Sequence, residues 1–252
     1  MDDRQLAETL AAEAAEILLS FYGGPARGLD AKASDSDLVS DADREAEARM
    51  VALVGEHRPE DGIPGEEGAH AEGTSGRRWV LDPLDGTTNF LYGFPIWSVS
   101  VALEDSRGVL VGAVLAPTLG ELCVAERGAG CVLDGVPVHV REGDRLDQAV
   151  VATGFQYMRE VRVRQADVLA RVLPRVANMR RAGSAALDLA WVACGRVDGY
   201  YEIGLNRWDW AAGALLVTEA GGEVRSLASD PPGLVAAGPG LIRELEELVR
   251  EH

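Results

Sequence analysis

The sequence is poor in the features that mark disulfide-bonded, secreted and membrane-spanning proteins. Its 252 residues include only three cysteines, Cys123, Cys131 and Cys194, and none of them forms a CxxC pair. An odd number of cysteines argues against a disulfide framework. No apolar run approaches the length of a membrane span, and the acidic start Met1-Asp2-Asp3 lacks the basic and apolar regions of a signal peptide. We therefore expect a protein of the reducing cytoplasm.

Basic residues are also scarce, because 24 Lys and Arg stand against 41 Asp and Glu and leave a net charge of −17. A surface this acidic repels nucleic acid and anionic membranes, so we expect neither as a direct partner. It would equally repel an anionic substrate. A phosphate-handling protein of this charge therefore needs local cations, and bound metal is the obvious source.

Hydrophobic periodicity and capping residues predict an α+β fold with layered sheets. The predicted helices lie at residues 3–20, 41–56, 160–173, 184–194, 208–220 and 240–251. The predicted strands lie at 78–82, 97–104, 108–115, 121–126, 148–153, 177–181, 197–202, 222–226 and 234–237, with a further hairpin at 132–136. Residues 22–37 and 57–77 are predicted as loops. The pattern divides the chain into an N-terminal α+β half, 1–147, and a C-terminal α/β half, 148–252, within one unit.

The most informative stretch is Trp79-Val80-Leu81-Asp82-Pro83-Leu84-Asp85-Gly86-Thr87-Thr88-Asn89-Phe90. Asp82 and Asp85 can hold a hard divalent cation through oxygen, and the proline between them stiffens their geometry. Gly86 lets the backbone approach an anion closely. The amides that follow can cradle phosphate oxygens if a helical turn begins there. An Asp-rich turn after a strand is the alternative, but the full stretch favours metal-assisted phosphate chemistry.

This stretch resembles the first signature of the inositol monophosphatase family. The second signature appears downstream as Trp208-Asp209-Trp210-Ala211-Ala212-Gly213-Ala214, followed by Glu219-Ala220-Gly221-Gly222. Gly65-Glu66-Glu67 and Asp43 match two further family elements, in the family's order and at roughly its spacings. The resemblance covers nearly the whole chain. It implies alternating α-β-α-β-α layers in one compact unit, and a homodimer.

The resemblance also implies a metal site made of oxygen ligands. By the match, Glu66 binds the metal nearest the attacking water, Asp82 bridges metals, and Asp85 and Asp209 hold the metal next to the leaving group. The Leu84 carbonyl is a further ligand. His57, His70 and His139 show no metal-ligand spacing. An all-oxygen set points to Mg²⁺ or Mn²⁺ rather than zinc.

Thr87 and Asp43 are the candidate pair for activating water, together with the metal held by Glu66. Helix stabilisation is the alternative role of Asp43, which lies in a predicted first turn, and N-capping is the alternative for Asp209. Trp208 and Trp210 beside Asp209 are interpreted as packing residues. No Ser, Cys or His nucleophile with a base is recognisable, so direct in-line attack of water on phosphorus is the economical mechanism.

The candidate substrate contacts surround this site. Glu202 matches a family acid that bonds the polyol ring, with a solvated surface acid as the alternative. The start of a helix at Gly183-Ser184-Ala185 offers amides to hydroxyls or phosphate oxygens, with an ordinary helix start as the alternative. Lys32 matches a basic loop residue near the metals. The whole candidate set is Asp85, Gly86, Thr87, Thr88, Gly183, Ser184, Ala185, Glu202 and Asp209.

The function implied is a Mg²⁺-dependent phosphomonoesterase acting on a small polyol phosphate, with myo-inositol 1-phosphate as the substrate and Li⁺ as an inhibitor. Related enzymes hydrolyse fructose 1,6-bisphosphate, histidinol phosphate or 3′-phosphoadenosine 5′-phosphate, and these remain alternatives. Some bacterial members of the family act as partners of the transcription machinery. A regulatory protein and a catalytically inactive metal-binding homologue are therefore the other two hypotheses.

Overall fold

The computed structural model describes residues 1–24, 41–64 and 73–250, together with the backbone of three short segments at 30–31, 38–39 and 70–71. Seven α-helices lie in these residues. They are Asp3–Phe21 (α1), Asp41–His57 (α2), Thr87–Leu91 (α3), Arg159–Val172 (α4), Ala185–Ala193 (α5), Arg207–Glu219 (α6) and Ile242–Val249 (α7). None of the described helices is long and apolar enough to cross a membrane.

The described strands form two large sheets and two short ribbons. The ribbons pair Asp30–Ala31 (β1) with Leu38–Val39 (β2) and Ile63–Pro64 (β3) with His70–Ala71 (β4). The first sheet contains Arg78–Asp85 (β5), Ser98–Asp105 (β6), Gly108–Ala116 (β7), Glu121–Glu126 (β8), Gly130–Leu133 (β9) and Val136–Val138 (β10). The second sheet contains Val150–Thr153 (β11), Asn178–Arg180 (β12), Gly199–Ile203 (β13), Glu223–Leu227 (β14) and Gly233–Ala237 (β15).

The first sheet is an antiparallel meander in which each strand pairs with its sequence neighbour, from β5 at one edge to β10 at the other. The predicted Asp134-Gly135 turn joins β9 to β10. Both residues have positive φ, 50° and 78°, as a two-residue hairpin turn of this kind requires. Neighbouring strands joined by short turns explain why the sequence pattern predicted this sheet well.

The second sheet is mixed and has the order β12-β11-β13-β15-β14. Strand β11 runs parallel to its neighbours β12 and β13, whereas β13, β15 and β14 pair antiparallel. Helices α4 and α5 lie in the connections between the parallel strands. Because ligands bind beyond the carboxyl ends of parallel strands, the residues that follow β11 and those at the end of β13 are placed to form a site.

The helices and sheets alternate in five layers. Helices α1 and α2 pack on the first sheet, α5 and α6 lie between the sheets, and α4 and α7 cover the second sheet. Three buried apolar clusters fill the spaces between the layers. The predicted α+β fold with α-β-α-β-α layers is confirmed.

Small residues allow the middle layer to pack closely against its neighbours. A Cβ added at Gly213 of α6 would lie 2.5 Å from the Cβ of Leu189 in α5. One added at Gly112 of β7 would lie 2.8 Å from the carbonyl oxygen of Ala212. Any larger side chain at either position would push α6 away from α5 or from the first sheet. The location of α6, which carries Asp209, is therefore fixed by packing on two sides.

Differences from the sequence prediction are small and have local causes. The strand predicted at 78–82 continues to Asp85 through an irregularity between Asp82 and Asp85. The helix predicted from 208 begins at Arg207. The predictions that 22–37 and 57–77 are entirely loop are wrong, because Asp30–Ala31 pairs with Leu38–Val39 and Ile63–Pro64 pairs with His70–Ala71. Strands of two residues are too short to show an alternating pattern, so the sequence carries no signal for them.

Candidate active site

One cavity of about 420 Å³ gathers most of the predicted site residues. It lies where the end of β5, the starts of α5 and α6, and the end of β13 meet. Ten of the predicted residues line it, namely Asp82, Leu84, Asp85, Gly86, Thr87, Gly183, Ser184, Ala185, Glu202 and Asp209. Thr88 is exposed beside the cavity and its hydroxyl lies 3.2 Å from the hydroxyl of Tyr157, which lines it.

The first carboxylate, Asp82, is held at the irregular end of β5. Its side chain is almost fully buried, and its Oδ1 accepts a hydrogen bond of 3.0 Å from the Leu84 amide. The Leu84 carbonyl in turn accepts a 3.0 Å bond from the Thr87 hydroxyl. The loop from Asp82 to Thr87 is therefore braced by its own polar groups. The carbonyl predicted as a metal ligand and the hydroxyl predicted to orient water lie in direct contact.

A short helix begins directly after this loop, as phosphate binding by the loop amides requires. Gly86 precedes α3 with φ of 96°, a left-handed conformation that favours glycine. A Cβ there would lie 3.1 Å from the Gly183 carbonyl and 3.2 Å from the Ile96 carbonyl. Gly86 is thus needed both for its conformation and for the close approach of the Gly183 turn.

The second carboxylate, Asp85, is bound by the N-terminus of α5. Its Oδ2 accepts hydrogen bonds of 2.7 Å from the Ser184 hydroxyl and from the Ala186 amide. Burial raises the pKa of Asp85 to about 6, while these hydrogen bonds and the nearby Arg181 act in the opposite direction. Ser184 also contacts Ser98 Oγ at 2.9 Å. Ser184, which the sequence assigned to substrate, therefore already binds Asp85 in this structure, and the second donor, Ala186, lies outside the predicted set.

The third carboxylate, Asp209, lies in the first turn of α6 and faces the same cavity. Its Oδ2 accepts a 2.6 Å hydrogen bond from the Asn206 amide in a capping box. Both readings of Asp209 from the sequence are thus compatible, because the residue stabilises the helix start and also lines the cavity. The residue at the N-cap position is Asn206, not Asp209.

The predicted catalytic residue Asp43 lies in the first turn of α2, as the sequence predicted. Its side chain is 1 % exposed, which the sequence did not predict. Since the hydrogen bond shown for the Thr87 hydroxyl goes to Leu84, the Asp43–Thr87 pair stays a prediction. Glu66, Glu67 and Lys32 lie outside the described residues.

Glu202 on β13 also lines the cavity. The Tyr200 hydroxyl donates a 2.6 Å hydrogen bond to Glu202 Oε2, and burial raises the pKa of Glu202 to about 7. The carboxylate lies directly over Gly154, where an added Cβ would approach it to 1.9 Å. Glu202 is 9 % exposed, so it is a buried residue of the cavity wall and not a solvated surface acid.

Beneath Glu202 lies a carboxyl group that the sequence did not single out. Asp188 of α5 is 1 % exposed, and its Oδ1 makes no hydrogen bond with the residues that the structure describes. Burial and the nearby Glu202 and Asp85 raise the pKa of Asp188 well above its ordinary value. An isolated buried carboxylate is costly, so the neutral acid is the stable form here.

The structure adds wall residues that the sequence analysis missed. Phe155, Gln156 and Tyr157 follow β11, and Arg181 precedes the Gly183 turn. A signal was available, since residues beyond the ends of parallel strands commonly carry binding groups. Trp208 also lines the cavity, so its interpretation as a packing residue was incomplete.

The described residues suit a hard divalent cation in their chemistry, but they do not form a finished metal cage. No three or more His, Cys, Asp or Glu side chains of the described ranges stand close enough together to hold a metal ion. The carboxylates of Asp82, Asp85 and Asp209 nevertheless line one cavity and offer only oxygen. The raised pKa of Asp85 shows the cost of burying such charge without a cation.

Comparison with known proteins agrees with this geometry. The family model described as "Inositol monophosphatase family" matches residues 2–250. The inositol-1-monophosphatase of Rhizobium meliloti (strain 1021) is 47% identical over 190 residues, which cover 74% of this chain and 71% of the relative. The Nus factor SuhB of Escherichia coli (strain K12) is 35% identical, with 98% of this chain and 95% of the relative covered.

A solved structure shows the same fold over the full length. The extragenic suppressor protein suhB from Bartonella henselae superposes with a TM-score of 0.92 at 35% identity, and 98% of each chain is covered. Together with the family match across the chain, this likeness removes the alternative of an unrelated fold with a chance Asp-rich turn. The chain belongs to the inositol monophosphatase family, and it is a phosphatase.

Proposed function

We propose that the chain is a Mg²⁺-dependent phosphomonoesterase that hydrolyses a small polyol phosphate, with myo-inositol 1-phosphate as its substrate. The observation that carries the proposal is the set of residues that line this cavity. Asp82, Asp85 and Asp209, here called the acidic end, line it together with the buried acceptor Glu202, here called with Asp188 the Glu202 end. A phosphate ester of a polyol carries complementary groups, namely an anion that needs cations and hydroxyls that need an acceptor.

The acidic end would hold the cation through Asp82, Asp85, Asp209 and the Leu84 carbonyl, with Glu66 completing the set. A divalent cation bound there supplies an activated water and neutralises charge on the phosphoryl group. The chain's own residues hold the proposed metal ligands in position. The hydrogen bonds from Ser184 and Ala186 fix Asp85, and preorganised ligands of this kind cost no rearrangement during the reaction.

The turn at the start of α3 would hold the phosphoryl group. The amides of the first turn of a helix have no partner within the helix, so those near Gly86, Thr87 and Thr88 are available to an anion. Thr87 is anchored to the Leu84 carbonyl, which places its hydroxyl beside the metal ligands. With Asp43 it would orient the water for in-line attack on phosphorus.

Glu202 would read the alcohol. Glu202 is held by Tyr200 and faces the cavity, so it can accept hydrogen bonds from ring hydroxyls. A hydrogen bond to a charged group contributes about 1.5–3 kcal/mol, enough to distinguish a polyol from an alcohol without neighbouring hydroxyls. Glu202 would then determine the choice of substrate, and the carboxylates at the acidic end would support the hydrolysis.

A phosphatase panel tests the proposal. The four substrates are myo-inositol 1-phosphate, fructose 1,6-bisphosphate, histidinol phosphate and 3′-phosphoadenosine 5′-phosphate, each assayed with Mg²⁺ and with excess EDTA. We expect the largest kcat/KM for myo-inositol 1-phosphate, its loss in EDTA, and inhibition by Li⁺. Full turnover in EDTA would contradict the metal requirement. A higher kcat/KM for another substrate would contradict the substrate assignment alone.

A regulatory role is a second candidate, because relatives 35–38% identical carry the name Nus factor SuhB. Given the net charge of −17, we propose that such a role would act through protein contacts and not by direct binding to RNA. The test is co-purification with the host RNA polymerase, using wild type and the Asp82→Asn variant. Retention of polymerase by both would support a role separate from catalysis, and retention by neither would contradict it.

The assembly state belongs to the same set of proposals. The family resemblance implies a homodimer, and light scattering on the eluted protein measures the mass directly. A mass of one chain of 26.8 kDa at working concentration would contradict the dimer.

A further inference from the structure

Arg207, the first residue of α6, makes a set of contacts that the reaction scheme does not use. Its guanidinium donates two hydrogen bonds to Glu104 Oε2, at 2.6 and 3.2 Å. The same guanidinium lies over the Trp210 ring, 4.1 Å from the ring centroid. Arg207 therefore joins the end of β6 to the first turn of α6 through a charge-assisted pair, and its cation–π contact with Trp210 holds it against α6.

The acceptor of this pair is itself buried and doubly paired. The Glu104 side chain is 3% exposed, and its second oxygen accepts a hydrogen bond from Arg78 at the start of β5. Glu104 thus links two strands of the first sheet to α6. Removing one partner of such a buried pair leaves charge uncompensated, so this contact is expected to matter more than an exposed ion pair.

The contact lies two residues from Asp209 along a helix. Within the regular backbone of a helical turn, fixing Arg207 also fixes the direction in which Asp209 projects. A second contact holds Trp208, the residue between Arg207 and Asp209, because the Ser100 hydroxyl of β6 donates a 3.1 Å hydrogen bond to its carbonyl. Helix ends fray unless they are held, and here both ties come from β6.

We infer that Arg207, acting through Glu104, is a positioning residue that holds the Asp209 carboxylate in place for cation binding. The inference rests on the proposed function, because it takes Asp209 as a metal ligand. Arg207 itself does not line the cavity, so its effect would reach the cation through Asp209.

The chain offers a matched control for a purely structural effect. Arg225 on β14 is bound to two acids, Glu223 and Glu246, where Arg207 is bound to Glu104, and the two side chains are 35% and 33% exposed. It lies outside the cavity. Arg225→Met and Arg207→Met therefore remove the same kind of contact, and only one of them lies beside a proposed metal ligand.

The experiment measures binding of Mn²⁺ to the purified full chain by electron paramagnetic resonance, with the melting temperature of the metal-free protein recorded in parallel. We expect Arg207→Met to raise the Kd for Mn²⁺ about tenfold, the lower end of the effect of removing groups that orient metal ligands. Arg225→Met should leave the Kd unchanged. An unchanged Kd for Arg207→Met, or an equal rise in both variants, would overturn the inference.

Two further measurements keep the test decisive. Arg207→Lys retains the charge but loses the planar fork and its stacking, so it should show an intermediate Kd if Arg207→Met folds poorly. Combining Arg207→Met with Glu104→Gln should add little to the single effects if the two residues act as a unit. A wild-type chain that binds no Mn²⁺ would overturn the proposed function, and this inference with it.

Discussion

The carboxylates around the cavity are held in two different ways. At the acidic end, Asp82, Asp85 and Asp209 each accept a hydrogen bond from a backbone amide. At the Glu202 end, Glu202 is held by one phenol, and the neighbouring Asp188 has an oxygen without a hydrogen-bond partner among the described residues. Amide donors stabilise the charged form of a carboxylate, whereas burial without donors favours the neutral acid.

The difference separates two tasks. Carboxylates that bind a cation need to be ionised and fixed, and the hydrogen bonds from backbone amides, joined at Asp85 by the Ser184 hydroxyl, favour both. Burial still raises the pKa of Asp85 to about 6 and that of Glu202 to about 7, but Glu202 would read hydroxyls, which can either donate or accept a hydrogen bond. We therefore expect substitutions at the acidic end to affect the rate, and those at the Glu202 end to affect substrate choice and stability.

The largest effect should come from Asp82→Asn. The change removes a negative charge from the centre of the proposed metal site while preserving the shape of the side chain, so turnover should be lost and the fold retained. Turnover with saturating Mg²⁺ and circular dichroism measure the two quantities. A variant that keeps more than about a tenth of the wild-type rate, roughly 1.4 kcal/mol of barrier, would contradict a bridging role for Asp82.

A smaller and selective effect is expected for Glu202→Gln. Loss of the charged acceptor should reduce kcat/KM for myo-inositol 1-phosphate by about 1.5–3 kcal/mol, and should reduce that for an aryl phosphate without hydroxyls much less. The ratio of the two kcat/KM values, variant against wild type, is the measurement. If the ratio does not change, Glu202 does not read the polyol, and the division between the two ends fails.

The effect on turnover should be smallest in Asp188→Asn, whose main effect should be on stability. Because the folded-state pKa of Asp188 is raised above its ordinary value of 3.8, its stabilising contribution is complete below that pH and is lost as pH rises towards the folded value. The Asp188→Asn variant does not lose stability in this way, because an asparagine side chain does not titrate. Over that window, wild type should fall behind the variant by about 1.4 kcal/mol per pH unit, or about 2–4 °C in Tm per kcal/mol.

Thermal unfolding in EDTA at pH 4 and pH 8 measures this difference. We expect nearly equal Tm values at pH 4 and a higher Tm for Asp188→Asn at pH 8. Asp167→Asn, an exposed residue of α4, serves as the control and should show no such pH dependence. A variant that is less stable than wild type at pH 8 would show that Asp188 is ionised and paired in the folded protein.

The sequence predicted the acidic end better than the Glu202 end for a physical reason. Asp82 and Asp85 are three residues apart in one loop, so their proximity follows from local geometry. Asp188 and Glu202 come together only because α5 packs on β13, a tertiary contact without a local pattern. Asp209 was found through its family signature, and helix periodicity then placed it correctly within the first turn of α6.

The absence of a local sequence pattern also explains the errors in the predicted fold. Long strands with alternating or continuous apolar residues were predicted, whereas the two-residue ribbon β3–β4 was not. No pattern near Gly154 in the sequence indicates that glycine is required there. Its role depends on Glu202, which approaches from a neighbouring strand.

The close packing of α6 against α5 and the first sheet has a consequence for how the protein folds. The cavity needs Asp82 from the first sheet, Ser184 from the middle layer and Glu202 from the second sheet, so an intermediate with one sheet formed has no complete site. A cation would then bind the native state alone and stabilise it by mass action. We expect such a ligand to slow unfolding, and an unchanged refolding rate would show that its contacts form after the rate-limiting barrier.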